Sequence, residues 1–249
     1  MMRKIFLALL VAGVLGVGTA FATCTVEPSG TLLSQLVANP SQCLVVGDKV
    51  FYDFTFAQET SPISDATITV TTFPPPVAFD GGEGVQFNGD LGINNTGGTS
   101  ATSFDFSLGY SVLSTAGATI SGISDLISAG CLNLNTPNHT CTSTADVSVT
   151  ETATGPGPAF ETANSTVSLA SGVLHEPPTQ GTDVLTFGTP VPSVVVVKDV
   201  SVNAGIGDNV SFSVIQQDFQ QVPEPGSYAL VLGLGIACMV WRKRAAAKA

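Results

Sequence analysis

The stretch Phe104-Asp105-Phe106-Ser107-Leu108-Gly109-Tyr110-Ser111-Val112 carries the clearest signal for the fold. Large apolar or aromatic residues stand at every second position, and the positions between them hold polar residues or glycine. Successive side chains of an extended strand point to opposite faces of a sheet. Strict alternation over this length therefore predicts a strand with one buried face and one solvated face.

The same period of two recurs on both sides of that stretch. In Lys49–Phe56, one alternating set is Val50, Tyr52, Phe54 and Phe56. We expect Gly47-Asp48, just before it, to form a two-residue hairpin turn after a strand at Leu44–Val46. Further alternating runs are Ala66–Thr72 (Ile68 and Val70 inward), Asp146–Thr150, Thr166–Leu169 and Val210–Ile215 (Val210, Phe212 and Val214 inward).

The spacing of these runs indicates an all-β domain. About nine strands separated by turns rich in Gly, Pro, Ser and Asn predict an antiparallel β-sandwich, either Ig-like or jelly-roll. Val194–Val197 is apolar on both faces, which favours a central strand or one covered by a loop. Two short helices are also expected. One is Thr31–Ala38 with Ser29 as N-cap, and the other is Ile123–Ala129, ending at Gly130.

Five cysteines form two pairs that are close in sequence and one outlier. Cys24 and Cys43 lie near the start, Cys131 and Cys141 flank an Asn- and Thr-rich loop, and Cys238 falls in the C-terminal apolar run. Four cysteines in an exported domain imply two disulfides, for which three connectivities exist. We favour Cys24–Cys43 and Cys131–Cys141, because short loops bring their partners together first.

The C-terminus has three consecutive parts with distinct physical roles. Val222-Pro223-Glu224-Pro225 cannot continue a helix or a strand ladder, since proline lacks an amide donor and restricts its neighbour. An apolar run to Trp241 follows, of membrane-segment character although short for a full span. Arg242-Lys243-Arg244 then holds that end on the cytoplasmic side. We expect Gln216–Val222 to leave the last strand and present an open backbone.

In that order, these parts resemble the PEP-CTERM sorting signal of bacterial surface proteins handled by exosortases. The resemblance covers about the last 28 residues of the chain. It implies an exosortase-type membrane protease as partner, which would recognise the motif and remove a transient membrane anchor. The alternative is that Pro223 and Pro225 form a stiff spacer beneath a permanently anchored domain.

The N-terminus has the pattern of a secretory signal peptide. Arg3-Lys4 precedes an apolar run from Ile5 to Gly18, and Ala20-Phe21-Ala22 forms a small-residue cleavage site. We therefore expect a signal peptide at 1–22, an extracytoplasmic sandwich at 23–221 and the sorting signal with its transmembrane helix at 222–249. The protein would be exported, held in the membrane by its C-terminal helix, and then displayed at the surface or released.

The charge distribution excludes one class of partner. Between residues 23 and 222 the chain has two lysines, no arginine and eighteen acidic residues, a net charge of −16. Such a surface repels nucleic acid and lacks the usual phosphate clamp. Nucleic-acid binding is therefore excluded.

No catalytic motif stands out, and no cofactor is expected. G-x-S-x-G is absent, and the ectodomain offers only His139 and His175 as imidazole bases. His175-Glu176 begins like a zinc-protease motif, but Pro177-Pro178 forbid the helix that such a motif needs. We interpret the protein as a non-enzyme.

A calcium site is the sharpest ligand hypothesis. Asp80, Glu83 and Asp90 place hard oxygen donors on a glycine-rich stretch. EF-hand spacing is absent, so we favour an acidic hairpin loop without metal. The sequence thus favours a structural or adhesive surface protein of exopolysaccharide or biofilm. The alternative is a carbohydrate- or calcium-dependent binding module.

Overall fold

A computed structural model of the chain describes residues 24–58, 64–74, 82–115, 117–133, 135–136, 140–156, 162–170 and 179–222. The expected signal peptide, and the sorting segment from Pro223 onward, lie outside the described residues. Among the residues that the structure does describe, no helix is long and apolar enough to cross a membrane.

The described chain is built almost entirely of strands, with one helix, α1 (Leu33–Ala38), and a short 3-10 turn at Asp65–Thr67. In chain order the strands are β1 (Thr25–Val26), β2 (Thr31–Leu32), β3 (Gln42–Val46), β4 (Lys49–Gln58), β5 (Thr69–Phe73), β6 (Glu83–Asn88), β7 (Ile93–Asn94), β8 (Thr102–Ser114), β9 (Thr119–Asn133), β10 (Asp146–Thr154), β11 (Thr162–Ala170), β12 (Thr179–Val191), β13 (Ser193–Ala204) and β14 (Asp208–Val222).

These strands form two mainly antiparallel sheets. Sheet I has the order β1-β3-β4-β8-β13-β10-β11. Sheet II has the order β12-β9-β14-β6-β5-β2, and β7 pairs with β14 beside it. The prediction of an all-β sandwich is confirmed, with more strands than the nine expected. Three of the additional strands (β1, β2 and β7) are only two residues long, too short to show a period in sequence.

The core lies between the two sheets and is rich in aromatic side chains. The five alternating apolar residues of β8, from Phe104 to Val112, are all buried, as predicted. The Tyr110 ring lies 5.7 Å from that of Phe54 and 5.5 Å from that of Phe87, measured between ring centroids. Phe219 packs edge-on against Phe51 at 5.5 Å. Aromatic pairs from both sheets therefore join the two layers.

The hairpin at Gly47-Asp48 forms as predicted, but the buried face of β4 changes along the strand. Its first half buries Lys49 and Phe51, the set opposite to the one that the alternation indicated. The register with β8 shifts between Tyr52 and Thr55, and Asp53 within that bulge has a φ of 53°. An extra residue in one strand reverses the faces beyond it, so Phe54 is buried again.

A second bulge corrects the prediction for β14. Val210 and Phe212 face the core as expected, but the register with β9 shifts between Phe212 and Val214. Ile215 is consequently the next fully buried residue, and Val214 is only partly buried.

The expected helix at Ile123–Ala129 is wrong, because this segment is the middle of strand β9. Ile123, Ile127 and Ala129 are buried, and β9 pairs with β12 on one side and β14 on the other. Tertiary pairing on both edges thus overrides a local apolar spacing that also fits a helix.

The first predicted helix exists in a shorter form. It spans Leu33–Ala38 and buries Leu33 and Leu36, while Leu32 rather than Ser29 occupies its N-cap position. The Ser29 hydroxyl oxygen instead accepts a 2.9 Å hydrogen bond from the backbone N–H of Thr72. Ser29 therefore fastens the loop before α1 to the end of β5.

The structure contains both of the local disulfides that the sequence favoured, Cys24–Cys43 and Cys131–Cys141. The first ties the start of the described chain to β3, and the second ties the end of β9 to the loop before β10. Val194–Val197 lies in β13, which is central in sheet I as predicted. Val195 and Val197 on its outer face are exposed.

Candidate functional site

The last strand, β14, leads directly into the C-terminal segment. Strand β14 pairs with β9 along its whole length, ending with Gln221 opposite Ile120 and Val222 opposite Thr119. The expectation that Gln216–Val222 leaves the strand is therefore wrong, since these residues continue the ladder. The consequence is that a chain ending near Val222 would still contain every strand that the structure describes.

A buried lysine fastens this end of β14 to sheet I. Lys49 is fully buried, and its Nζ donates a 2.6 Å hydrogen bond to Gln221 Oε1. The same Nζ contacts the Asp48 carboxylate and lies 3.9 Å from Glu83 Oε2. Glu83 Oε2 also accepts a 3.1 Å hydrogen bond from the backbone N–H of Asp48. We refer to Asp48, Lys49, Glu83 and Gln221 as the Lys49 cluster.

The electrostatics of the Lys49 cluster are those of an ion pair at the domain edge. Burial raises the pKa of Glu83, as do a hydrogen bond with the Asp48 side chain and the Asp48 charge. The hydrogen bond from the Asp48 backbone and the positive charge of Lys49 lower it. Both acids keep some solvent contact, with side-chain exposures of 20% for Asp48 and 13% for Glu83. One cation thus links the β3–β4 hairpin to β6 and β14.

The three calcium candidates do not form a site among the described residues. Asp80 lies outside them. Glu83 belongs to the Lys49 cluster at the start of β6, and Asp90 is exposed just beyond the other end of the same strand. A six-residue strand is about 20 Å long, so Glu83 and Asp90 cannot share an ion.

One group of potential metal ligands does occur in the described part of the chain, formed by Cys131, Cys141 and Asp208. Its two sulfur atoms are bonded to each other. Buried Asp208 accepts hydrogen bonds from Asn133 Nδ2 at 2.7 Å, from Thr142 Oγ1 at 2.5 Å and from Gly205 N at 2.9 Å. Asp208 therefore organises the loops at this end of the sandwich.

A second lysine is buried deep between the sheets. Lys198 on β13 is fully buried, and its Nζ lies 2.5 Å from Asp125 Oδ1 on β9 and 2.5 Å from Glu151 Oε2 on β10. The amide of Gln217 on β14 donates to Glu151 Oε2. We refer to Asp125, Glu151, Lys198 and Gln217 as the Lys198 cluster.

Opposing effects set the ionisation of the Lys198 cluster. Burial raises the pKa of Glu151 to about 7, with the Asp125 charge adding to this and Lys198 opposing it. Burial by itself would lower the pKa of Lys198, but the two carboxyl groups outweigh it and raise that pKa. Burial also holds the pKa of the neighbouring Tyr110 hydroxyl well above its ordinary value, helped by Glu151 and Asp125.

The sequence carries a signal for this cluster. The alternating run Val194, Val196, Lys198, Val200 places a lysine on the core-facing side of a valine strand. Because an unpaired buried charge is costly, a lysine on the core-facing side of a strand needs acidic partners that are buried with it.

The family description "PEP-CTERM protein-sorting motif" matches residues 221–244. The chain carries a PEP-CTERM motif. The match begins at Gln221, the residue that Lys49 holds. Such a motif implies processing by an exosortase and display at the cell surface. Within the motif, Val222 is the last residue of β14, whereas Pro223, Glu224, Pro225, Arg242, Lys243 and Arg244 lie outside the described residues.

No curated protein matches the sequence. Among solved structures, TmCBM61 in complex with β-1,4-galactotriose aligns with 69% of this chain and 88% of its own, at 13% identity and a TM-score of 0.30. The N-terminal cellulose-binding domain of Cellulomonas fimi β-1,4-glucanase C aligns with 69% and 88%, at 14% identity and a TM-score of 0.23. CsCBM6-3 from Clostridium stercorarium with cellobiose aligns with 61% and 81%, at 14% identity and a TM-score of 0.22. Similarities this low assign neither a ligand nor a binding residue to this chain.

In the described part of the chain the surface is acidic and exposes no large aromatic side chain. Both lysines between residues 23 and 222 are buried in ion pairs, so within the described residues no cationic side chain offsets exposed acids such as Asp53, Asp90 and Asp199. The large hydrophobic side chains exposed in the described residues are all aliphatic: Val26, Val45, Val184, Val195, Val197, Ile206 and Val222.

Proposed function

We propose that the chain is exported, sorted and processed to yield a structural or adhesive surface protein of exopolysaccharide or biofilm. In this proposal residues 1–22 are removed as a signal peptide, 23–221 form the extracytoplasmic domain, and 222–249 form the sorting signal with a transient membrane helix. The two disulfides support this route, because disulfides persist in oxidising compartments outside the cytoplasm.

The observation that carries the proposal is the continuity of β14 with the sorting motif. The last strand ends at Val222, and the motif match begins at Gln221. Cleavage beside Pro223-Glu224-Pro225 would therefore release a complete sandwich without removing a strand. The domain would then already be folded when the last 28 residues direct its sorting and are removed.

We infer a sandwich of the jelly-roll type. From β8 to β14 the chain changes sheet at every step except β10 to β11. Strand β8 is consequently flanked in sheet I by β4 and β13, both distant in sequence. Interleaving of this kind is typical of jelly rolls, in which Greek-key connections distribute successive strands over two sheets.

Within the residues that the structure describes, the distribution of aromatic side chains supports a structural role over sugar binding. Sugar-binding sites commonly use exposed aromatic rings, but Phe51, Phe54, Phe87, Tyr110 and Phe219 pack against one another inside the sandwich. We propose no enzymatic activity, since both buried lysines and their acidic partners in the described residues are engaged in ion pairs within the fold.

One observation favours the alternative, a carbohydrate-binding module. The outer face of sheet II carries neutral hydrogen-bonding groups, among them Thr71, Gln86 and Asn88, with Asn88 Nδ2 donating to Thr71 Oγ1 at 3.0 Å. Such a face suits an uncharged polysaccharide. A glycan array with the released protein would decide: specific binding favours the module, and none favours the structural role. Adding calcium or EDTA during the assay tests calcium dependence.

Fractionation of expressing cells with C-terminal mass spectrometry tests the sorting proposal. We expect the mature wild-type protein to end near Val222 and to lack Trp241. Replacing Pro223 and Pro225 with alanine should leave uncleaved protein in the membrane, because a regular backbone would replace the open recognition segment. Mature wild-type protein that retains Trp241 and the basic tail would show that the segment is a permanent anchor.

A further inference from the structure

The Lys198 cluster brings an amine into contact with two carboxyl groups inside the protein. Lys198 Nζ lies 2.5 Å from an oxygen of Asp125 in sheet II and 2.5 Å from an oxygen of Glu151 in sheet I. Glu151 is the register partner of Lys198, and Gln217 is the register partner of Asp125. The backbone ladders of both sheets therefore hold the three groups in place.

The surroundings exclude water from these groups. The side chains of Lys198 and Glu151 are fully buried, and that of Asp125 is 3% exposed. Tyr110, itself fully buried, lies next to the cluster amid the aromatic core. Isolated charges in such a place are costly, so a reaction that removes one positive and one negative charge is favoured.

We propose that Lys198 and Asp125 condense into an intramolecular isopeptide bond that joins β13 of sheet I to β9 of sheet II. Nζ attacks Cγ of Asp125, a C–N bond forms, and the bond from Cγ to one carboxyl oxygen breaks. That oxygen leaves as water with two protons that the ammonium group carried. The ammonium and the carboxylate thus become one neutral amide and one water molecule, without an oxidant or any other reactant.

Glu151 is the catalytic proton carrier. Its Oε2 contacts Lys198 Nζ, and its Oε1 makes no hydrogen bond within the described residues. Because Glu151 Oε2 contacts Nζ, its carboxylate can take a proton from the ammonium. This transfer is uphill, because the pKa of Lys198 is raised, and it supplies the small population of neutral amine that attacks. The protonated Glu151 then gives the proton to the departing oxygen. Gln217 is a positioning residue, since its amide holds Glu151 Oε2 from sheet II.

In solution a carboxylic acid must be chemically activated before it forms an amide with an amine. In the folded protein, the fixed contact between Lys198 and Asp125 takes the place of that activation. Fixing two reacting groups in contact raises their effective concentration by many orders of magnitude. The absence of water around the product then disfavours hydrolysis of the new amide. We assign the role of acceptor to Asp125 on the opposite sheet. Glu151, on the strand beside Lys198, then carries the protons.

The Lys49 cluster provides a control within the same chain. Lys49 is also buried, but its carboxyl partners Asp48 and Glu83 keep solvent contact. Asp48 is moreover adjacent in sequence, so an amide there would close a strained ring of only about eleven atoms. We therefore expect Lys49 to remain a free amine.

The bond is tested on the purified full chain after reduction and denaturation. Its intact mass should be lower by one water than the mass of the same polypeptide without the bond. Trypsin, which cuts after unmodified lysine, should cleave after Lys49 and not after Lys198. Because the chain has no lysine or arginine between Lys49 and Lys198, a second digestion with chymotrypsin is needed to cut between the joined residues, after Phe160 and Phe187. A branched peptide joining the segments around Asp125 and Lys198 should then appear.

Variants separate condensation from an ordinary ion pair. The measured mass of Glu151→Gln should equal that calculated for the variant without the bond, which is one water more than that calculated with the bond. Trypsin should then cut this variant after Lys198. Asp199→Asn, beside Lys198 on the outer face of β13, should keep the bond. If Glu151→Gln does not fold, the wild-type mass and digest still decide.

Three results would overturn the proposal. A wild-type chain of full mass that is cut after Lys198 contains an ion pair only. A branched peptide that joins Lys198 to Glu151 assigns the roles of the two acids wrongly. A folded Glu151→Gln chain that condenses as completely as wild type removes the proton carrier from the mechanism.

Discussion

Two lysines carry much of the polar organisation inside this sandwich. Lys49 links the sheets at the end from which the sorting motif departs, and Lys198 links them in the interior. Each buried cation is matched by two carboxyl groups, as a low-dielectric environment requires. Because both cations are used internally, the exposed face of the domain is left acidic.

Glu151 should make the stability of the protein depend on pH. Its pKa is about 7 in the folded state and 4.5 ordinarily, so the folded state binds more protons between these values. The free energy of unfolding should therefore fall as pH rises through that window, by up to about 3 kcal/mol. In the wild-type chain of full, uncondensed mass, urea unfolding should show this fall. Glu151→Gln should show a flatter dependence, and Asp199→Asn of full mass should keep the wild-type slope. Equal slopes for Glu151→Gln and wild type would contradict this.

At the scale of single elements, the sequence predicted strands where one face alternates without interruption. Strand β8 has no bulge along its predicted stretch, so all its alternating residues are buried. Strands β4 and β14 contain bulges, and the predicted face is correct on one side of each bulge only. A bulge depends on the register with a partner strand, which no local pattern reports.

The strand partners of β9 and the acidic partners of the lysines could not be predicted from local sequence patterns for the same reason. Ile123–Ala129 fits a helix by its own spacing and becomes a strand because β12 and β14 flank it. The disulfides were predictable, since both join cysteines close in sequence. The contact of Lys198 with Asp125 joins residues 73 positions apart.

Gly84 on β6 lies so close to its neighbours in sheet II that an added side chain should destabilise the fold. A Cβ there would meet the backbone carbonyl oxygen of Gln217 and come within 2.5 Å of Cζ of Phe73. We expect Gly84→Ala to lower the free energy of unfolding by about 1–3 kcal/mol, because strands β5 and β14 would have to move apart. Gly97→Ala, with nothing within 4 Å of the added carbon, is the matched control. Similar melting temperatures for the two variants would refute the close approach at Gly84.

At the scale of the whole molecule, the domain and its sorting signal are joined without a described linker. Strand β14 is an inner strand of sheet II, flanked by β9 and β6, and it ends where the motif begins. A pull on the C-terminal segment would therefore act on a strand hydrogen-bonded along both edges. Peripheral strands such as β12 would not carry that load.

The Lys49 cluster should control how firmly this junction is held. Replacing Lys49 with methionine keeps the unbranched apolar stem of the side chain but leaves Asp48 and Glu83 without a cation and Gln221 without its donor. We expect the free energy of unfolding to fall by about 2–3 kcal/mol, less than the about 3–5 kcal/mol for a fully buried pair, since both acids keep solvent contact. Hydrogen exchange at the amides of Gln221 and Val222 should become faster than in wild type. The double variant Lys49→Met/Glu83→Gln should recover part of the lost stability, because it removes one of the two unpaired charges. Unchanged exchange at Gln221 and Val222 in Lys49→Met would mean that strand pairing with β9 alone holds the junction.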